Sequence, residues 1–131
     1  MTLKILLVDD NISMVSFLGK YLNKKGYQNE GVYAVPDALE SISKKKFDVV
    51  IADVCFNQFS GLVLLKSIKS RGDMTPVIMM SGYAKSEQVL ECLRIGAYDF
   101  LFKPFRLEVL AEILKGIENR NERFAKLGVI E

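Results

Sequence analysis

Residues 48–54 read DVVIADV, a short run of branched apolar residues with an aspartate, Asp53, beside its carboxyl end. Polar and apolar residues do not alternate in this run, which indicates a strand covered on both faces, as in a parallel sheet. Similar runs occur at 3–8, 76–81 and 98–102. A more polar run at 27–33 is expected at the edge of the sheet.

Segments with helical spacing separate these runs. Their apolar residues recur at i, i+3, i+4 and i+7, in the sets Ile12, Val15, Leu18 and Leu22; Leu62, Leu65 and Ile68; and Leu107, Leu110, Ala111, Leu114 and Ile117. Five strand–helix units in strict alternation predict an open α/β sheet with right-handed crossovers. Periodicity leaves the order of the strands open.

The composition excludes several classes of function. The chain of 131 residues suits one domain, and its net charge of +2 is too small to indicate nucleic-acid binding. It contains no histidine, which excludes Ser-His-Asp hydrolysis and most zinc sites. The triplet Lys44-Lys45-Lys46 is either a solvated helix end or a basic patch.

Cysteine content and the amino terminus both point to a reduced, cytoplasmic protein. Cys55 and Cys92 make neither a disulfide framework nor a metal-ligand pair. The apolar run at 5–8 is stopped at once by Asp9 and Asp10, so it predicts neither a signal peptide nor a membrane span.

Chemically useful side chains follow four of the predicted strands. These are Asp9 and Asp10 after the first, Asp53 at the third, Ser81 at the fourth and Lys103 after the fifth. Each residue alone has an ordinary explanation, such as a helix cap for the Asp9-Asp10 pair or a turn at Asp53. In an open α/β sheet, however, all four strand ends lie along one edge, where ligands bind.

Clustered carboxylates repel one another unless a cation lies among them. Mg²⁺ is the natural candidate because it prefers oxygen ligands. One carboxylate could then act as a nucleophile toward a phosphoryl group, with the metal and an ammonium stabilising the transferring oxygens. The residues therefore predict a site that moves a phosphoryl group onto aspartate.

Four segments together resemble the receiver domain of bacterial two-component response regulators. They read LVDD at 7–10, IADV at 51–54 with Gly61 eight residues after the aspartate, MSG at 80–82, and GAYDFLFKPF at 96–105. The resemblance covers residues 1–120 almost entirely, which leaves 121–131 as a polar tail, either a frayed helix end or the stub of a linker. It implies the flavodoxin-like strand order 2-1-3-4-5 with five flanking helices.

Position by position, the resemblance implies that Asp53 is the phospho-acceptor. Asp10 would bind Mg²⁺ directly and Asp9 partly through water, while the backbone carbonyl of Cys55 supplies a further ligand. Lys103 would contact the acceptor carboxylate and later the phosphoryl group. The bond from Lys103 to the next residue, Pro104, is expected to be cis.

The resemblance also implies a switch. Ser81 would move to hydrogen-bond the phosphoryl oxygen, and Phe100, in place of the frequent tyrosine, would turn inward. Asn57 stands where many receivers have proline. Cys55 and Tyr83 would flank the path of attacking water, which predicts slow self-dephosphorylation; the alternative is that Tyr83 points to solvent.

The expected function is a signalling switch that catalyses only its own phosphorylation and dephosphorylation. The donor would be a sensor histidine kinase, a phosphotransfer protein or a small acyl phosphate. The output domain or protein would read the face of the fourth helix, fifth strand and fifth helix, and a homodimer is allowed. No membrane or direct nucleic-acid contact is expected.

Two alternative functions belong to other classes of protein. One is a pseudo-receiver that interacts without phosphorylation, which retention of Asp10, Asp53, Ser81 and Lys103 argues against. The other is a phosphatase with an aspartyl nucleophile, which lacks an acid two residues after Asp53, where Cys55 stands.

Overall fold

The computed structural model describes residues 2–54, 60–82 and 85–129. The strands of this part of the chain are β1 (Lys4–Val8), β2 (Gln28–Val32), β3 (Val49–Asp53), β4 (Val77–Ser81) and β5 (Asp99–Phe102). Its helices are α1 (Ile12–Lys24), α2 (Val35–Lys44), α3 (Ser60–Ser70), α4 (Ser86–Ile95) and α5 (Leu107–Lys126). The elements alternate strictly, as the sequence predicts.

The five strands form one parallel sheet in the order β2-β1-β3-β4-β5. This arrangement confirms both the predicted fold class and the strand order implied by the resemblance. Val8 pairs with Ala52, and Asp53 pairs with Met80. The ends of β1 and β3 are therefore neighbours. After β2 has been added on one side of β1, the remaining strands are added on the other side, and this switch point between β1 and β3 is where a doubly wound sheet binds its ligands.

Successive residues of the central strands enter two separate cores. Ile5, Leu7, Val49 and Ile51 pack with α1 and α5 on one face of the sheet. On the other face, a second set packs with α2, α3 and α4; its strand residues are Leu6, Val8, Val50, Ala52, Val77 and Met79. All of these side chains are buried. Burial on both faces explains why the strands read as unbroken apolar runs.

The polar strand β2 lies at the edge, as predicted. Its polar side chains bond to neighbouring helices. The side-chain amide of Asn29 donates to the carbonyl oxygen of Gly19 at 3.1 Å and to Oδ1 of Asn23 at 2.8 Å. Glu30 forms an ion pair with Lys45.

Helix α5 continues past the domain end expected at residue 120. The segment expected as a polar tail, either a frayed helix end or a linker stub, is helical through Lys126. Asn121 is buried, and the Arg120 guanidinium stacks between the rings of Tyr98 and Phe124. Contacts with the preceding fold therefore stabilise this part of the helix.

None of the helices in the described residues combines the length and the apolar character needed to cross a bilayer.

Candidate functional site

Backbone hydrogen bonds extend the sheet to its carboxyl edge and fix the predicted site residues there. The amide of Asp9 donates to the carbonyl of Val32 at 3.2 Å, and the amide of Lys103 donates to the carbonyl of Ser81 at 2.9 Å. Asp53 is itself the last residue of β3. The positions of these groups therefore follow from strand pairing.

Lys103 joins two aspartates from different strands. Its Nζ donates to Oδ2 of Asp53 at 2.7 Å and to Oδ2 of Asp9 at 3.0 Å. The side chain of Asp9 is 1% exposed, that of Asp53 is 12% and that of Lys103 is 19%. One ammonium thus compensates two largely buried carboxylates, which leaves the cluster with a net negative charge.

The environment of Lys103 keeps its side chain charged. Burial of the ammonium lowers its pKa, but hydrogen bonds to Asp53 and Asp9, together with attraction to both carboxylates, outweigh that effect. The pKa of Lys103 therefore lies above its ordinary value. At neutral pH the side chain is a fixed cation beside Asp53.

The hydrogen bonds around Asp9 exclude the helix-cap explanation for the Asp9-Asp10 pair. Asn11 is the N-cap of α1, since its side chain accepts from the amide of Met14 at 3.1 Å. Asp9 instead accepts from the amide of Asn11 through Oδ1 at 3.0 Å. Asp10 is exposed at the same edge. Capping thus accounts for neither aspartate.

The two predicted switch residues, Ser81 and Phe100, lie on the neighbouring strands β4 and β5. Ser81 is buried at the end of β4. Phe100 is half-buried and packs against the core that faces α2, α3 and α4, and its ring centroid lies 5.0 Å from that of exposed Phe102. The switching roles of Ser81 and Phe100 stay predictions.

Three other residues discussed from the sequence, Cys55, Asn57 and Tyr83, lie outside the described residues. The bond between Lys103 and Pro104 is cis, as expected.

The donor chemistry at this edge fits Mg²⁺. Asp9 and Asp53 provide carboxylate oxygens, Asp10 stands next in the chain, and the excess negative charge favours a cation. As the side chains stand, no three carboxylate, thiol or imidazole groups among the described residues are close enough to hold a metal ion. Lys103 takes the bridging position between the two buried acids.

Among the described residues, a hollow on the surface borders the site. A mainly apolar groove of about 380 Å³ runs beside Lys103, between Met14, Phe17 and Leu18 of α1 and the segment that begins with Pro104. This groove was not predicted from the sequence, although Phe17 is an aromatic residue outside the apolar face of α1. A cavity of about 320 Å³ lies at the opposite end of the sheet and contains none of the predicted site residues.

A doubly wound parallel sheet with two buried aspartates and a lysine at its switch point defines a class of α/β protein with an acidic site. Comparison with known families identifies the family within this class. The model of the response regulator receiver domain matches residues 5–115. The chain therefore belongs to this family, whose members act in two-component signal transduction.

Relatives agree with this assignment. The transcriptional regulatory protein ZraR of Salmonella typhimurium is 35% identical over 124 residues, which are 94% of this chain and 28% of the relative. The chain thus spans little more than a quarter of that relative's length. The receiver domain of Francisella response regulator 1452 superimposes with a TM-score of 0.85 at 27% identity, covering 92% of this chain and 99% of the other. For chemotaxis protein CheY4 of Vibrio cholerae, the TM-score is 0.82 at 30% identity, covering 89% and 99%.

Proposed function

We propose that this protein is a phosphorylation switch in which Asp53 accepts a phosphoryl group from a histidine kinase or a phosphotransfer protein. The observation that carries the proposal is the contact of Lys103 with both Asp53 and Asp9 at the switch point of the sheet. Mg²⁺ would be held by Asp9, Asp10, Asp53 and the backbone carbonyl of Cys55. When bound, the metal neutralises charge on the transferring oxygens.

In the transfer step, a carboxylate oxygen of Asp53 attacks phosphorus. The bond between phosphorus and the donor atom breaks, and the donor atom keeps the electron pair. The products are an aspartyl phosphate and the dephosphorylated donor, so the chain promotes its own modification and needs no other substrate. Lys103 is already charged and within hydrogen-bond distance of Asp53, so it is placed to stabilise phosphoryl oxygens that arrive there.

The modification would act by shifting a population. Closure of Ser81 onto the phosphoryl group, followed by inward rotation of Phe100, would change the surface formed by α4, β5 and α5. This surface exposes apolar side chains from all three elements, namely Leu90, Leu93, Phe102 and Val109. An output domain, a separate target protein or a second copy of the chain would bind there.

The first test follows intact mass during incubation with acetyl phosphate and Mg²⁺. We expect the gain of one phosphoryl group, which is abolished in Asp53→Asn and by chelation of the metal. A chain that gains no phosphoryl group from acetyl phosphate is next tried with phosphorylated histidine kinases. Failure with both donors would overturn the proposal in favour of a module that interacts without phosphorylation.

A further inference from the structure

Gly61 approaches the backbone of Asp53 more closely than any side chain would allow. A Cβ atom built on Gly61 would lie 1.8 Å from the carbonyl oxygen of Asp53, 2.7 Å from its carbonyl carbon and 2.9 Å from Cα of Val54. All three distances are below 3.0 Å, a limit that real Cβ atoms essentially never cross. The obstructing atoms belong to the main chain, so rotation of a side chain cannot relieve the contact.

This contact joins the end of one element to the start of the next. Asp53 ends β3, and Gly61 is buried in the first turn of α3. The first turn of the helix therefore lies directly against the peptide that follows the acceptor residue. On its other side, β3 is fixed to β4, where the amide of Val54 donates to the carbonyl of Met80 at 2.8 Å.

We propose that Gly61 is a positioning residue for the acceptor. Its lack of a side chain allows α3 to hold the Asp53 backbone so that the carboxylate meets Lys103. A methyl group at position 61 would have to be moved from 1.8 Å to at least 3.0 Å from the Asp53 carbonyl oxygen, a separation of about 1 Å. Any part of this displacement that the Asp53 peptide takes up lengthens the 2.7 Å bond between Lys103 and Asp53 toward the limit of hydrogen-bond range. Misplacement of a reacting group by about 1 Å can slow a reaction by about 10²-fold.

This inference rests on the proposed function but makes a separate claim. A contact that served only the fold would lower stability when disrupted and leave the folded molecules competent. A positioning contact would also alter Mg²⁺ affinity and the rate of phosphorylation in the molecules that do fold.

The chain offers a matched control at Gly31. A Cβ atom there would lie 2.3 Å from Cγ1 of Val15, which is also below the 3.0 Å limit. It would press on a side chain of α1, however, and not on the backbone of a site residue. Gly31→Ala therefore reports what a steric clash alone does to this fold.

The experiment compares Gly61→Ala, Gly31→Ala and the parent. We measure thermal unfolding with and without Mg²⁺ and the Kd for Mg²⁺ by calorimetry. The first-order rate constant of phosphorylation is measured by intact mass over a range of acetyl phosphate concentrations at saturating metal, corrected for the folded fraction, which gives its maximal value and the donor concentration at half of that value. Both variants should have a lower Tm. Only Gly61→Ala should lose at least tenfold in the maximal rate constant and bind Mg²⁺ more weakly. The inference is overturned if Gly61→Ala keeps the parental rate constant and Kd, or if Gly31→Ala loses as much.

If Gly61→Ala does not fold, a measurement on the unaltered protein tests whether Gly61 positions the acceptor. Amide hydrogen exchange is followed while Mg²⁺ is added. Exchange at Gly61 should slow by a larger factor than exchange at Gly31, which reports the general stabilisation of the fold by the metal; equal slowing at the two glycines, or no change at Gly61 despite metal binding, would overturn the inference. Failure of the parent to accept a phosphoryl group would count against the proposed function, whereas these metal-binding results test Gly61 separately.

Discussion

The two ends of the sheet treat polar groups differently. At the amino ends of the strands, groups pair one to one: the amide of Lys4 donates to Asp48 at 2.8 Å, and Tyr27 bonds to Glu118. At the carboxyl ends, one ammonium serves two buried carboxylates. At the amino ends each carboxylate accepts from a neutral donor, whereas at the carboxyl ends two largely buried carboxylates from different strands share one cation. That shared cation, and not the mere presence of charged residues, marks the carboxyl end as the site.

The exposed ion pairs support the same reading. Lys44 and Glu40 bond at 2.7 Å, as short as the bond from Lys103 to Asp53, yet their side chains are 68% and 63% exposed. Water screens such a pair and weakens it. The lysine triplet that the sequence left open as a basic patch therefore includes two members, Lys44 and Lys45, that are already paired with glutamates.

The largest predicted effect comes from Lys103→Met. The substitution leaves two buried carboxylates without their shared cation, so the free energy of unfolding should fall by roughly 3 kcal/mol. The initial rate of phosphorylation by acetyl phosphate should fall about 10²-fold because the charge on the transferring oxygens loses its partner. Urea unfolding and intact-mass kinetics measure the two effects. Lys44→Met, which breaks an exposed ion pair, is the matched control. Comparable losses of stability and of phosphorylation rate in Lys44→Met would mean that the buried cluster at Lys103 is not special.

A smaller effect is expected for Asp10→Asn, which tests whether this exposed carboxylate joins the metal site. Mg²⁺ should raise the Tm of the parent because it binds the folded state. In the variant, the concentration that gives half of this rise should increase roughly tenfold, because one ligand is weakened. Thermal unfolding over a range of Mg²⁺ concentrations gives the result. Asp37→Asn, on α2, should behave like the parent; an identical response from Asp10→Asn would remove Asp10 from the predicted ligands.

Tyr27→Phe probes the amino ends of the strands, where Tyr27 bonds to Glu118. Burial, and then the hydrogen bond to Glu118, raise the pKa of Tyr27 to about 12. The folded state thus holds this proton more tightly than the unfolded state, whose pKa is about 10. Below pH 10 the variant should be less stable than the parent by about 1 kcal/mol. That difference should narrow as the pH rises from about 10 toward 12, because the parent loses this stabilisation when the hydroxyl ionises.

Chemical unfolding between pH 8 and pH 11 measures this difference, with exposed Tyr33→Phe as the control. Phosphorylation kinetics of Tyr27→Phe should match the parent. A loss of phosphorylation in Tyr27→Phe would show that the two ends are not independent.

The smallest effect is expected for Tyr83→Ala. If the ring shields the phosphoryl group from water, its removal should shorten the lifetime of the aspartyl phosphate about threefold. The decay is followed by intact mass after the donor has been removed, with Tyr33→Ala as a reference. An unchanged lifetime would mean that Tyr83 points to solvent, the alternative left open from the sequence.

Much of this architecture could be predicted because its determinants are local. Unbroken apolar runs identify the buried strands, and their alternation with amphipathic segments fixes the α/β class. Parallel strands place their carboxyl ends on one edge, so Asp9, Asp53 and Lys103 could be expected together before any distance was known. The strand order came from the family resemblance, since periodicity carries no information about which strands are neighbours.

The details that escaped prediction depend on contacts between distant segments. The sequence alone does not show that Asn11, and not an aspartate, caps α1, because the cap depends on where the backbone turns. The continuation of α5 to Lys126 depends partly on Arg120 stacking on Tyr98, 22 positions earlier in the chain. Gly61 was noted only for its spacing from Asp53; that its backbone touches the acceptor is visible only in three dimensions.

The polar edge strand has a consequence for self-association. An unprotected strand edge is a template onto which another chain can add a strand and begin to aggregate. In β2, the side chains of Asn29 and Glu30 are bonded to groups on or beside the helices, and the opposite edge, β5, is only four residues long. Neither edge offers a long apolar template. Addition of strands at either edge, and with it growth into fibres, is therefore disfavoured.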